Sequence, residues 1–213
     1  MMTKRIKTDL LVIGAGAGGL SVAAGAAQLG VKVVLLEGDK MGGDCLNYGC
    51  VPSKALIAFS NQKKPQQFLE AMGFVRNAIK AIEPHDSEER FRSLGVHVIR
   101  EYGRFLDEKT IAAGDYEIKS RRTVIATGAH TSAPEIKGLS DVQYYTNKTI
   151  FDLASKPEHL LVLGGGPVGV EIAQAFARIG IDATIFEKQE ILSNFSDEQV
   201  AVVREHLIYD GVN

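Results

Sequence analysis

The chain has 213 residues, of which 45% are hydrophobic and 23% are charged, and its formal net charge is −2. These values are typical of one or two globular domains and exclude collagen-like and intrinsically disordered chains. The lack of a basic excess argues against a nucleic-acid partner. The first apolar run is too short for a signal peptide or a membrane span. We therefore expect a cytoplasmic protein without a membrane partner.

One sequence pattern occurs twice, 150 residues apart. Of the 27 positions from Leu11 to Glu37, nine are identical in the segment from Leu161 to Glu187. Each copy predicts a buried strand, a Gly-rich turn, a helix and a second β-rich run that ends in an acid. The predicted strands are Asp9–Ile13 and His159–Leu163, and the predicted helices are Leu20–Leu29 and Val170–Ile179.

Each turn has the spacing GxGxxG, and an acidic residue follows 23 positions after the first glycine. The first glycine permits a tight turn, the second lets the backbone approach a pyrophosphate, and the third allows close packing of helix on strand. The helix N-terminus attracts phosphates, and the acid accepts hydrogen bonds from ribose. The predicted binding residues are Gly14, Gly16, Gly19 and Glu37 in the first copy and Gly164, Gly166, Gly169 and Glu187 in the second.

The sequence therefore predicts an α/β protein with two Rossmann-like dinucleotide-binding units. We place the boundary near Ser155, with residues 1–155 in the first domain and the start of the second domain at 156–213. A carboxylate at the end of the second strand repels a 2′-phosphate, so the second unit should prefer NAD to NADP. The alternative is a pair of Rossmann-like turns that bind nothing.

Both cysteines of the chain lie in the stretch GDCLNYGCVPSK. Cys45 and Cys50 could form a structural disulfide, half of a metal site or a redox pair. A reducing compartment disfavours a structural disulfide, and the histidines are scattered without the spacing of metal ligands, so we expect no metal site. A redox pair is the interpretation that we favour.

The position of the cysteines supports this interpretation. Pro52 predicts a helix start, so Cys50 would lie where a helix N-terminus stabilises a thiolate, with Lys54 on the same face. On a regular helix, residues five apart have Cα atoms separated by about 8–9 Å. A disulfide requires less than about 7 Å. We therefore expect an irregular turn at Asn47 and Gly49, which both tolerate one.

The two Gly-rich units, the motif GGxCxNxGCxPSK between them and the ATG at 126–128 resemble the FAD-dependent pyridine nucleotide–disulfide oxidoreductases. This group includes dihydrolipoamide dehydrogenase and mercuric reductase. The resemblance implies FAD in the first unit and NAD(P)H in the second. Electrons would move between NAD(P)H, FAD and the Cys45–Cys50 disulfide, and then to a dithiol, disulfide or metal substrate.

The resemblance also implies a role for individual residues. Cys45 would attack the substrate, and Cys50 would be the thiol beside the flavin. Lys54 would lie near the flavin and pair with Glu171. The further residues that would contact FAD are Gly103, Thr127 and Gly128.

Two features depart from the family pattern. Asp44 stands where many members have threonine, and nothing in the sequence explains this charge. Members of the family are also longer, with a C-terminal domain that completes the active site across a homodimer. We therefore expect the second unit to be incomplete and this chain to be inactive alone; the alternative function is a catalytically inactive dinucleotide-binding fragment.

The remaining segments have simpler patterns. Residues 61–83 are helix-like with a break at KKPQQ, and short β-rich runs from Val96 to Ile125 suggest a small antiparallel sheet. Ser196–Tyr209 is predicted to be an amphipathic helix, followed by the first residues of another strand in DGVN.

Overall fold

The computed structural model describes residues 3–62 and 68–213 of the chain. Within these residues helices and strands alternate in the order expected of an α/β protein. The predicted break at KKPQQ falls on 63–67, outside the described residues. The strands are β1 (Lys4–Ile13), β2 (Val33–Leu36), β3 (His97–Ile99), β4 (Arg104–Phe105), β5 (Thr110–Ala113), β6 (Tyr116–Ile125), β7 (His159–Leu163) and β8 (Asp182–Phe186). The helices are α1 (Ala17–Gln28), α2 (Gly43–Asn47), α3 (Cys50–Ser60), α4 (Phe68–Ile82), α5 (Glu88–Ser93), α6 (Pro167–Arg178) and α7 (Asp197–Tyr209).

The described residues group into two compact units. The first contains the described parts of Met1–Cys50 and Ile79–Lys148, and the second contains those of Val51–Ala78 and Thr149–Asn213. Each unit has its own Gly-rich turn. The domain boundary near Ser155 stays a prediction.

The first unit is built on a six-stranded sheet with the order β3-β2-β1-β6-β5-β4. Strands β3, β2, β1 and β6 run parallel, and β5 pairs antiparallel with both β6 and β4. All four residues of β2 are buried, as expected for a parallel strand covered on both faces. The predicted antiparallel sheet was wrong for β3, which joins the parallel part beside β2.

Two clusters of apolar side chains cover the two faces of this sheet. On one face Val12 and Leu35 pack with Leu20 of α1 and Phe91 of α5. On the other face Leu11 and Leu36 pack with Ile111 and Ile118 of the antiparallel strands. The strands alternate between these clusters because successive side chains of a strand point to opposite faces. This burial fixes the carboxyl ends of β1, β2 and β6, where the Gly-rich turn lies.

The second unit has the same strand–helix–strand start. Strands β7 and β8 pair in parallel over their full length, from His159 with Asp182 to Leu163 with Phe186. The predicted helix over 196–209 is confirmed as α7, which begins after a capping box formed by Ser196 and Gln199. Val212 forms a parallel bridge with Ala183, so the strand predicted in DGVN begins beside β8.

None of the helices within residues 3–62 and 68–213 combines the length and apolar character that a membrane span needs.

Candidate dinucleotide and redox sites

The Gly-rich turn of the first unit is closed by backbone packing. Gly14 has φ +103°, and a Cβ atom on it would lie 2.2 Å from the carbonyl oxygen of Ala126. A Cβ on Gly19 would lie 1.8 Å from the carbonyl oxygen of Gly14. Any side chain at either position would displace the backbone, because real Cβ atoms do not approach so closely. The glycines thus have the steric roles that the spacing predicts.

The N-terminus of α1 is arranged to receive an anion. Gly16 is the N-cap residue with φ −78° and ψ −178°, and within the described chain no side chain caps it. The first turn of α1 contains no acidic residue. The first N–H groups of a helix have no partner within the helix and carry its positive dipole end. A dinucleotide pyrophosphate therefore fits this end of α1 by charge.

The acid Glu37 is held against the same turn. The backbone N–H of Ala15 donates to its Oε2 at 2.6 Å, and the N–H of Asp39 donates to its Oε1 at 2.6 Å. The first of these bonds crosses from the Gly-rich turn to the end of β2. The structure therefore brings Glu37 and the three glycines together, as the sequence predicts.

The second unit repeats this geometry. Gly164 has φ +106°, and a Cβ on Gly169 would lie 2.0 Å from the carbonyl oxygen of Gly164. Around Gly166, the N-cap of α6, a Cβ would meet no described atom within 4 Å. This open space is what close approach of a phosphate to the backbone requires.

Glu187 takes the position of Glu37 in the second unit. The N–H of Gly165 donates to its Oε2 at 2.7 Å, and the N–H of Lys188 donates to its Oε1 at 2.7 Å. The pKa of Glu187 is lowered from its ordinary value of 4.5, first by the hydrogen bond from Gly165 and then by those from Gln189 and Lys188. The carboxylate is therefore ionised at neutral pH.

The cysteine stretch forms two helices with an irregular break between them. Cys45 lies in α2 and is half-buried, whereas Cys50 is exposed and is the first residue of α3. Between the helices the chain folds back on itself, so that a Cβ on Gly49 would lie 3.2 Å from the carbonyl oxygen of Asp44 and 3.8 Å from the Cα of Cys45. The predicted irregular turn is confirmed, with Gly49 at its tightest point.

The sequence reasoning missed two contacts that fix the cysteine stretch, the side-chain hydrogen bonds of Asn47 and the packing of Gly43. Asn47 donates from Nδ2 to the carbonyl oxygens of Met41 at 3.0 Å and Gly43 at 2.9 Å. Gly43 in turn packs on the Gly-rich turn, because a Cβ on it would lie 2.6 Å from the Cα of Gly16. In the sequence, the adjacent glycines and the asparagine of the motif were the signals for these contacts. Asparagine commonly bonds nearby backbone in turns.

An ion pair in the second unit joins α3 to α6. Lys54 Nζ lies 2.8 Å from Glu171 Oε1, so the ion pair that the resemblance implies is present. The hydroxyl of Ser53, which is buried, donates to the same oxygen at 2.9 Å. Ser53 was not singled out in the sequence, although it precedes Lys54 in the PSK motif. Its buried hydroxyl fixes the position of the Glu171 carboxylate.

The other predicted residues lie at the carboxyl ends of the first unit's strands. Thr127 follows β6 and its Cα would be 3.2 Å from a Cβ on Gly14, so it borders the Gly-rich turn. Gly128 has φ +71°. A Cβ on Gly103 would lie 3.0 Å from Cδ1 of Leu36, beside the end of β2. Asp44 is exposed in the first turn of α2, and nothing in the structure explains its charge.

Together, fold and site define a protein with two Rossmann-like dinucleotide-binding folds and a cysteine pair whose flanking glycine contacts the first Gly-rich turn. Residues 8–213 match the protein family described as pyridine nucleotide-disulphide oxidoreductase. The chain therefore belongs to this family.

The similar proteins include enzymes named as reductases and enzymes named as dehydrogenases. The chain is 32% identical to mercuric reductase of Staphylococcus aureus, with 96% of this chain and 40% of that protein aligned. It is 32% identical to dihydrolipoyl dehydrogenase of Haloferax volcanii, with 97% of this chain and 48% of that protein aligned. The chain thus spans less than half the length of these curated relatives.

Among solved structures, the chain resembles the Cu(II) complex of the HOCl-induced flavoprotein disulfide reductase RclA of Escherichia coli. The TM-score is 0.86 at 28% identity, and the match covers 96% of this chain and 48% of that chain. The α/β fold with two Rossmann-like units is thereby confirmed.

Proposed function

We propose that this chain is the dinucleotide-binding and redox-cysteine part of an NAD(P)H-linked, FAD-dependent disulfide oxidoreductase. One observation carries the proposal: the close contact between Gly43 and Gly16. Gly43 lies two residues before Cys45, so this contact holds the cysteine stretch against the turn where a pyrophosphate would bind. A structural cysteine pair has no need of that placement.

The residues fit two dinucleotides. Gly14, Gly16 and Gly19 would accommodate the pyrophosphate of FAD and Glu37 its ribose, with Gly103, Thr127 and Gly128 beside them. The corresponding residues for NAD(P)H are Gly164, Gly166, Gly169 and Glu187. When bound, FAD supplies two-electron exchange between a nicotinamide and a disulfide.

The cysteines carry out the exchange with the substrate. The thiolate of Cys45 attacks one sulfur of a substrate disulfide, forms a mixed disulfide and releases the first substrate thiolate, which takes up a proton. The thiolate of Cys50 then attacks the sulfur of Cys45 and releases the second thiolate. The substrate gains two electrons, the pair becomes a disulfide, and NAD(P)H is the two-electron donor that restores it. Cys50 suits its role because it begins an 11-residue helix.

Lys54 would act by its charge, and Glu171 and Ser53 would hold that charge in position. Lys54 lies one helical turn after Cys50, and a cation there stabilises a thiolate at the helix start. The carboxylate of Glu171 holds the ammonium group at 2.8 Å. Ser53 limits where that carboxylate can move, so it is a positioning residue.

The substrate class is a dithiol, a disulfide or a thiol-bound metal ion. Relatives named mercuric reductase and dihydrolipoyl dehydrogenase align over the same residues, including the cysteine stretch. We further propose that the whole protein is a homodimer and acts in the cytoplasm.

The second unit should prefer NADH to NADPH. The ionised carboxylate of Glu187 accepts hydrogen bonds from ribose hydroxyls and repels a 2′-phosphate. Replacing it by Gln keeps its size and removes the charge. In E187Q the Kd for NADPH should fall by about tenfold relative to that for NADH, which corresponds to about 1.4 kcal/mol. Fluorescence titration measures both constants, and an unchanged ratio would contradict this preference.

The experiment that tests the function separates the cysteines from the cofactor sites. The whole protein, loaded with FAD, is assayed because this chain alone is expected to be inactive. The assay uses NADH and either a disulfide substrate such as lipoamide or an artificial dye, which takes electrons without cysteines. C45S and C50S should abolish disulfide reduction and retain dye reduction. Ser60→Ala, late in α3, is the matched control and should keep both.

Three outcomes distinguish the hypotheses. Loss of disulfide reduction alone in C45S and C50S supports the proposal. Disulfide reduction that survives in C45S overturns the role of the cysteine pair. Binding of NADH without reduction of dye or disulfide supports the alternative, a dinucleotide-binding fragment without activity.

A further inference from the structure

The first unit contains a cavity that the dinucleotide residues do not line. Its volume is about 590 Å³, which lies within the range of small-molecule sites. It is formed by the first half of β1, the middle of β6 and the loops that hold Lys32 and Lys109. Six cationic residues are among those that line it: Lys7, Lys32, Lys109, Lys119, Arg121 and Arg122.

The positive charge of this cavity is mostly unbalanced. Asp9 is the carboxylate in its wall, and it pairs with Arg121 at 3.3 Å. Among the described residues, the other five cations form no ion pair. Near two of these cations, the pKa of Asp107 is lowered, first by the N–H of Lys109 and in smaller part by the charge of Lys119. A chain with a net charge of −2 thus concentrates positive charge in one concave place.

The arrangement of these cations is unfavourable for the fold. Lys7 and Lys119 are direct partners across the parallel pair of β1 and β6. Like charges at directly opposed positions of a sheet destabilise it. A single carboxylate at either position would remove the repulsion. An anion bound between the two ammonium groups would also remove the repulsion.

The two cationic loops are held in place by backbone bonds. The hydroxyl of Thr8, which is 6% exposed, donates to the carbonyl oxygen of Lys32 at 2.7 Å. The N–H of Ser120 donates to the carbonyl oxygen of Lys109 at 3.0 Å. Both bonds leave the ammonium groups available while fixing their Cα positions. The backbone that carries these two lysines is therefore preorganised, which lowers the entropy that binding would cost.

This cavity lies far from the Gly-rich turn. Gly14 lies six positions after Thr8 along and just beyond β1, a distance of about 20 Å at the rise of a strand. An anion in the cavity is therefore additional to the dinucleotide phosphates.

We propose that this cavity binds a soluble anion with two or more linked phosphate groups. Several adjacent negative oxygens match several lysine and arginine donors better than a single monovalent ion does. The proposal is independent of the disulfide chemistry described above.

Inorganic pyrophosphate is the probe, and sulfate at matched ionic strength is its control. With FAD and NAD⁺ occupying the two Gly-rich turns, isothermal titration should show one pyrophosphate per chain, bound at least about tenfold more tightly than sulfate and more weakly as salt increases. K32Q/K119Q should weaken pyrophosphate binding by about tenfold or more, as expected for two lost charged contacts. K80Q/K137Q, which removes two exposed lysines elsewhere, should bind as the parent protein does. Thermal unfolding of both variants checks that they fold.

A second arm distinguishes the source of the phosphate groups. Vesicles of phosphatidylcholine with phosphatidylinositol bisphosphate present the same chemistry on a lipid headgroup. Binding of pyrophosphate without vesicle binding supports the proposal. Binding to vesicles alone, no pyrophosphate binding, or an equal loss in K80Q/K137Q overturns it.

Discussion

The two Gly-rich turns have nearly the same backbone, but the segments that follow their acidic residues differ. The N–H of Gly14 donates to Leu36 and the N–H of Gly164 donates to Phe186, at 2.8 and 2.9 Å. The helix-ending glycines Gly30 and Gly180 have φ values of +78° and +81°. Three of the four shared glycines, Gly14, Gly19 and Gly30 with their counterparts, therefore lie where a side chain cannot fit or a left-handed backbone is required.

The segment after the acid shows the difference. In the first unit the N–H of Gly42 donates to Ala15 at 2.9 Å, and in the second the N–H of Leu192 donates to Gly165 at 2.8 Å. Gly42 has φ +84°, and Leu192 keeps the left-handed region at φ +52° without being glycine. The same backbone bond is made in both, but only the first copy must leave room for the helix that carries Cys45.

The largest expected effect concerns the third glycine of each turn, whose close packing the two copies share. Gly19→Ala and Gly169→Ala each place a Cβ within 2.0 Å of a carbonyl oxygen, so each should destabilise its unit by about 3 kcal/mol or more. Gly25→Ala, in open space on the same helix as Gly19, should stabilise by about 0.5–1 kcal/mol. Urea unfolding measures all three. A tolerated Gly169→Ala would show that the second turn is not packed like the first.

The next largest effect concerns the left-handed position, which is Gly42 in the first copy and Leu192 in the second. Gly42→Ala adds a Cβ 2.4 Å from Leu46 Cδ2 at positive φ, and should cost about 2–3 kcal/mol. Leu192→Gly relieves strain of about 1–2 kcal/mol and removes a half-buried side chain of similar value, so stability should change by less than about 1 kcal/mol. Equal losses in the two variants, measured by urea unfolding, would contradict the comparison.

A smaller effect concerns residues 42–47, which include α2, a helix that the second copy lacks at the corresponding residues. Asn47→Ala removes two hydrogen bonds to the backbone and should destabilise by about 1–2 kcal/mol. Amide exchange should accelerate at 42–47 and stay unchanged at 192–197, which occupy the corresponding place in the second copy. Asn47→Asp keeps the shape but cannot donate, so it should behave as Asn47→Ala does. Protected amides in Asn47→Asp would show that the donors are not what holds the segment.

The smallest effect is the pH dependence of Glu187. Its pKa is lower in the folded chain, so its contribution to stability is complete above its ordinary pKa of 4.5 and is lost as the pH falls through the folded value. Glu187→Gln should therefore reduce stability at pH 7, and the difference from the parent protein should shrink as the pH falls below 4.5 through the folded pKa. Glu158→Gln, an exposed carboxylate outside the turn, is the control. A difference between Glu187→Gln and the parent protein that does not change with pH would show that charge is not the cause.

The sequence predicted the elements whose signal is local. Glycine spacing, the position of Pro52 and the helical pattern of 196–209 are each read from neighbouring residues, so the turns, the start of α3 and α7 were predictable. Strand β7 was predicted at its observed bounds for the same reason, as a short apolar run.

Features that depend on distant partners were not predictable. Strand β1 begins at Lys4, five residues before the prediction, because its polar first half pairs with Tyr116–Ser120. The parallel pairing of β3 depends on β2, more than 60 residues earlier. The roles of Asn47 and Ser53 depend on carbonyl and carboxylate oxygens that only the folded chain brings near them. The left-handed backbone at Leu192 has no sequence signal, since glycine is the residue that normally marks it.

The register of β1 and β6 has a consequence for biosynthesis. Every paired residue on β1 meets one 112 positions later, from Lys4 with Tyr116 to Ile13 with Ile125. A ribosome that adds about 5–20 residues per second needs roughly 6–22 s to make that much chain. During this interval one edge of the first strand is unpaired, and such edges are templates for association between chains. The nascent chain is therefore most exposed to aggregation before the second Gly-rich turn has been translated.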